Sequence, residues 1–157
     1  MDNIRFAPRQ SVEEVEEGCL LAPRFGPDGL IPCITTDAES GEVLMLGWMT
    51  AEALRLTLDT GEAHYFSRAR QSLWHKGATS GLVQRVVEAR IDDDQDAIWL
   101  RVAVAGSGAS CHVGYRSCFY RAVPTGSEAG GALIFKEDQK SFDPVAAYGD
   151  APNPTQL

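Results

Sequence analysis

Two cysteines, Cys111 and Cys118, lie downstream of the run Asp92-Asp93-Asp94-Gln95-Asp96, so one stretch of chain carries both soft and hard metal donors. Thiolates select zinc-like ions, whereas clustered carboxylates without sulfur select magnesium-like ions. A chain that offers both can hold two ions with different work to do. Neither half decides the matter alone. A Cys-x6-Cys spacing is not the close pair of a zinc ribbon, and acid-rich turns between strands are ordinary solvated loops. A third segment, residues 67–81 (Ser-Arg-Ala-Arg-Gln-Ser-Leu-Trp-His-Lys-Gly-Ala-Thr-Ser-Gly), sets three cations among hydroxyls and glycines. Arg68 and Arg70 each offer a planar fork of donors, Lys76 a point charge, and Thr79, Ser80 and Gly81 hydroxyl or backbone N–H groups, which is chemistry suited to phosphate. The plainer alternative is a basic loop on an acidic protein, with Trp74 and His75 as packing or surface residues.

The acids fall between two strand patterns. Residues 83–91 are rich in valine and isoleucine. In residues 97–104, Ile98, Leu100, Val102 and Val104 alternate with Trp99, Arg101 and Ala103. The acid run is therefore expected at a hairpin tip, where four like charges raise one another's pKa unless a cation sits among them. Taken as extended backbone, the run points Asp92, Asp94 and Asp96 to one side, toward a shared hard cation, and Asp93 to the other.

Other elements frame these. Ser11-Val12-Glu13-Glu14 has the form of a capping box with Gly18 as a stop, which predicts a short N-terminal helix. Residues 30–36 and 42–48 read as strands joined by a turn at 37–41. Thr50 can cap a helix to Asp59 with Ala51, Leu54 and Leu58 on one face and Gly61 at its end, and residues 62–67 return as a strand. Beyond Pro124 only residues 132–135 resemble a strand, and the tail from about 145 is expected to fray. The class is α+β, a mainly antiparallel sheet with a few short helices.

Composition is consistent with a cytoplasmic enzyme. The chain has 157 residues, 44% of them hydrophobic, enough for one packed domain over residues 1–157. A net charge of -8 argues against a nucleic-acid partner, and the expectation is no membrane segment and no signal peptide. The four cysteines are expected as reduced thiols, with Cys19 and Cys33 as buried small hydrophobes.

Taken together, the Gly-Glu-Val-Leu-Met-Leu-Gly-Trp-Met stretch from Gly41, the 67–81 segment, the acid run and Cys-His-Val-Gly-Tyr-Arg-Ser-Cys-Phe from Cys111 resemble the phosphoribosyl-AMP cyclohydrolases of histidine biosynthesis, over about residues 30–121. The resemblance implies an intertwined homodimer acting on a small nucleotide. It also implies metal-dependent hydrolysis of the N1–C6 bond of the adenine ring, giving the formimino-carboxamide ribotide. It assigns Mg2+ to Asp92, Asp94 and Asp96, and Zn2+ to Cys111, Cys118 and a third ligand from the dimer partner. That third position, a cysteine in the family, is Asp93 here, so another divalent transition metal is an alternative. His112, beside a zinc ligand, is the expected proton shuttle, and Arg68, Arg70, Lys76, Thr79 and Ser80 the expected substrate-binding set. Three further departures, Ala69 for serine, Ala78 for glutamate and Val113 for threonine, fall near the same site. They suggest a divergent paralogue with an altered zinc site. The alternative function is a weakly active or non-catalytic relative that binds metal and nucleotide. At 157 residues the chain is expected to lack the pyrophosphohydrolase domain that some relatives carry in fusion.

Overall fold

The computed structural model describes residues 4–157. Its elements in chain order are α1 (Val12–Glu17), β1 (Ile31–Asp37), β2 (Val43–Met49), α2 (Ala51–Thr60), β3 (His64–Ser67), β4 (Ser72–His75), β5 (Gln84–Ile91), β6 (Ile98–Val104), β7 (Arg121–Ala122), β8 (Ile134–Phe135) and α3 (Pro144–Tyr148). The α+β expectation holds. The main sheet has the order β2-β1-β6-β5, with antiparallel pairs at both ends. The central β1–β6 pair is parallel, a crossover that no local pattern reveals.

Alternation builds the core. Ile31, Cys33 and Thr35 face Met49, Gly47 and Met45 across β1–β2, and Cys33 and Thr35 face Ile98 and Leu100 across β1–β6. These residues are fully or nearly buried, together with Leu44, Leu54, Tyr65 and Val102. Gly47 is required by close approach, because a Cβ there would lie 2.6 Å from the Tyr65 ring. Helix α2 begins where Thr50 Oγ1 accepts from Ala53 N and ends at Gly61, whose φ of 74° is the left-handed cap that glycine supplies freely. Its buried face is Ala53, Leu54 and Thr57, whereas the expected stripe of Ala51, Leu54 and Leu58 is offset from it. The offset follows from Thr57, whose hydroxyl accepts from His64 N (2.9 Å) and ties the helix to β3.

The structure adds detail to the expected elements. Residues 67–81 are not one loop: Ser72–His75 forms β4, paired antiparallel with β3. Cys19 is exposed, because it lies just past the α1 cap at Gly18; Cys33 is buried as expected, and its thiol is pushed up to about 12 by that burial. In the tail, Pro144–Tyr148 forms a helical turn capped by Asp143, whose Oδ1 accepts from Val145 N. The expected strand at 132–135 shortens to Ile134–Phe135. All four cysteines are free thiols. Among the described residues no helix is long and apolar enough to cross a membrane.

The second face of the main sheet is only partly covered. Ile34 pairs with Leu46 and Trp99, and Pro32 with Trp48, yet Ile34 is 41% and Leu46 49% exposed.

Candidate metal and nucleotide site

The acid turn joins β5 to β6. Asp92, Asp94 and Asp96 converge so that one carboxylate oxygen from each lies within 4.8 Å of the others, while Asp93 is exposed and outside the group. Convergence does not come from extended alternation, as the sequence suggests. The chain turns instead: Gln95 N donates to Asp92 O, Gln95 takes a left-handed φ of 58°, and Asp92 Oδ1 accepts from Asp96 N (2.9 Å) and Ala97 N (3.1 Å). Like charge at close range has the expected effect on Asp96. Its carboxyl, facing Asp94 and then Asp92 at close range, is raised to about 6.

Gln95 anchors this turn. It is buried, with Oε1 accepting from Ala22 N (2.8 Å) and Nε2 donating to Val15 O (3.0 Å) and Leu20 O (3.2 Å), so the amide is satisfied by the N-terminal arm. Arg9 adds a second tie by donating to Asp94 O (2.8 Å). Sequence reasoning missed both residues. The signal for Gln95 was its place as the one neutral residue within the acid run.

The two cysteines bound a compact loop. Within it Ser110 N donates to Arg116 O and Gly114 N to Cys111 O. The loop is docked on the start of β2, where Cys118 N donates to Leu44 O (2.7 Å) and Ser117 Oγ to Val43 O (2.7 Å). Glu137 closes it from outside the cysteine segment: its carboxylate accepts from Arg116 N (2.8 Å) and Ser117 N (3.0 Å), and Arg116 pairs with Glu42. Cys111 is buried and Cys118 reaches the surface. The two thiols titrate together: the influence of Cys118 lowers Cys111 to about 6, and that of Cys111 holds Cys118 protonated. Such a pair readily gives up its first proton, as a thiolate donor for a soft ion must. Among the described residues no third His, Cys or carboxylate atom of the same chain completes a group around it. Asp93 does not join the cysteines within one chain.

His112 follows directly. Its Nε2 is buried without a hydrogen-bond partner, and burial holds its pKa below the ordinary histidine value, so the ring is neutral at pH 7.

The expected phosphate set is divided by the β3–β4 hairpin. Arg68 and Arg70 are exposed at its tip, with Arg68 stacked 4.8 Å over Trp48 and Arg70 tied to Ser67. Thr79 and Ser80 lie beyond the far end of β4, where Ser80 Oγ accepts from Leu82 N. Lys76 lies apart from the other members of the expected set. It is 2% exposed, with Nζ donating to Ser110 O (2.6 Å) and lying 4.8 Å from the Trp74 ring centre, so its ammonium faces inward, away from Arg68 and Arg70. Three residue steps of β-strand, about 10 Å, separate the hairpin tip from its base. His75 stacks on His64 at 4.5 Å and pairs with Glu62.

A profile of phosphoribosyl-AMP cyclohydrolases matches residues 45–120, which span β2 to the end of the cysteine loop. The chain is 55% identical to the phosphoribosyl-AMP cyclohydrolase of Bradyrhizobium diazoefficiens over 86% of its length and 94% of that protein. It is 50% identical to the enzyme of the same name from Rhodopseudomonas palustris strain BisB18, over 90% of this chain and 95% of the relative. The chain belongs to the phosphoribosyl-AMP cyclohydrolase family. The matched region of this family member contains both the convergent acids and the cysteine pair. The residues that brace them, Arg9 and Glu137, lie outside that region.

Proposed function

We propose that this protein hydrolyses the N1–C6 bond of the adenine ring in phosphoribosyl-AMP. Water adds at C6, the N1–C6 bond breaks, N1 takes a proton, and the formimino-carboxamide ribotide is released. Family membership at about half identity over nine-tenths of the chain is the observation that carries this reading. The donor set fits two kinds of ion. A paired buried thiol and surface thiol, one held low enough to ionise near neutrality, suit Zn2+ or a similar transition metal at Cys111 and Cys118, with the partner's Asp93 as third ligand. Three converging carboxylates suit Mg2+ at Asp92, Asp94 and Asp96. When bound, an ion on the thiolates supplies a water whose pKa falls to about 7, and so a nucleophile at neutral pH.

The chain's own groups do the rest. His112 is neutral at pH 7 with a free ring nitrogen, so Nε2 accepts the proton that the attacking water loses and returns it to N1 of the leaving amidine. Arg68 and Arg70 at the hairpin tip hold the anionic ends of the nucleotide, helped by Thr79 and Ser80. The protein acts as a cytoplasmic homodimer built as one domain. Support for a second copy as the partner comes from the exposed apolar residues Ile34 and Leu46 on one face of the main sheet, and from the need of the thiol pair for a third donor.

The test is turnover of phosphoribosyl-AMP by protein stripped of metal and reloaded with zinc, cobalt or manganese, each with and without magnesium. Ring opening restored by one or more of these ions is expected. Protein that takes up metal and nucleotide yet never opens the ring would instead be the non-catalytic relative.

A further inference from the structure

Lys76 is a buried cation without a carboxylate. Its side chain is 2% exposed, no acidic group pairs with it among the described residues, and its ammonium is met by one carbonyl, Ser110 O at 2.6 Å, and by the face of Trp74. An ammonium left in this state costs free energy unless negative charge is gathered nearby. Ser110 immediately precedes Cys111, and the field of Lys76 falls on both Cys111 and Cys118. The carbonyl it grips is itself held. Ser110 Oγ accepts from Gln84 Nε2 (3.0 Å), Gln84 Oε1 accepts from the Tyr65 hydroxyl (2.7 Å), and Tyr65 Oη meets Thr35 Oγ1 (2.7 Å), all of them buried. This polar chain runs from the centre of β1 to the residue beside Cys111.

Charge counting gives the cation a purpose. A divalent ion with two thiolates and one carboxylate carries a net charge of about -1. A single fixed ammonium beside it brings the assembly to neutrality. We propose that Lys76 is a positioning residue for the thiolate metal centre: its fixed charge balances the ion with Cys111 and Cys118, and its bond to Ser110 O sets the start of the cysteine loop. The inference rests on the reading of Cys111 and Cys118 as metal ligands. It moves Lys76 from the substrate to the metal.

The experiment compares full-length wild type, Lys76→Met, Lys76→Gln, Lys76→Arg and Cys118→Ser. Affinity for Co2+ is measured by competition with a chromophoric chelator, together with the sulfur-to-cobalt charge-transfer band and the unfolding midpoint with and without the ion. Lys76→Met should bind cobalt at least about tenfold more weakly. Its metal-free midpoint should equal or exceed that of wild type, and the rise on adding cobalt should shrink. Lys76→Gln, which keeps a donor for Ser110 O without the charge, should show the same loss, and decides the matter if the Met variant fails to fold. Lys76→Arg should recover part of the affinity. Lys76→Gln with wild-type cobalt affinity and the same rise in midpoint would overturn the proposal while leaving the thiolate site standing. Wild-type cobalt binding in Cys118→Ser would overturn the thiolate site, and the role of Lys76 with it.

Discussion

Asp94 and Asp93 are chain neighbours with different surroundings. Asp94 converges with Asp92 and Asp96, while Asp93 stands exposed outside that group. Asp94→Asn keeps the side-chain shape but removes a charge from the hard-ion group, so magnesium affinity should fall and the apparent Michaelis constant rise, with partial rescue by excess magnesium. Metal bound at Cys111 and Cys118 should be unaffected, which elemental analysis of the variant checks. Loss of that metal, with magnesium dependence unchanged, would merge the two sites into one. Asp93→Cys should act the other way. A third sulfur suits a soft ion better than an oxygen does, so zinc should bind tens-fold more tightly, worth about 2 kcal/mol, in competition titrations. Equal affinity would mean that Asp93 is not a ligand. Residue types alone drew attention to the converging acids and the cysteine pair, but not to the burial of Lys76. A lysine in a polar, glycine-rich segment looks like a surface cation, and only tertiary packing against Trp74 and Ser110 turns it inward.

The β5–β6 turn shows how an element aims its side chains. The sequence made the flanking strands plain through alternation, and the acid run was rightly placed at their junction. The mechanism of convergence was not legible, because it depends on Gln95 reaching Val15, Leu20 and Ala22, more than 70 positions earlier in the chain. Gln95→Ala leaves those backbone groups without their partner, at a cost of about 1–3 kcal/mol in stability. Magnesium affinity should drop several-fold as the turn loosens, even though no ligand is altered. Thermal unfolding and magnesium titration check both. Wild-type values in each would remove the N-terminal arm from the account of the site. Strand β4 escaped notice for a related reason. Four residues with one tryptophan and one leucine carry too little periodicity to stand out from the basic segment around them, and the pairing of His75 with His64 supplies what the local pattern lacks.

At the scale of the whole molecule, the parallel β1–β6 crossover brings β2, which docks the cysteine loop, into one sheet with the hairpin that carries the acids. Sequence order separates these parts, and no pattern within either one announces the crossover. The same sheet leaves Ile34 and Leu46 partly bare. The central claim is that the thiol pair holds the ion on which ring opening depends, and it is tested most directly by measuring metal content and phosphoribosyl-AMP turnover on the same preparations of wild type and Cys118→Ser. The account predicts that Cys118→Ser, although folded, loses the transition metal and the ring-opening activity together and dissociates more readily to monomer in light scattering. Full turnover by Cys118→Ser protein free of transition metal would contradict it.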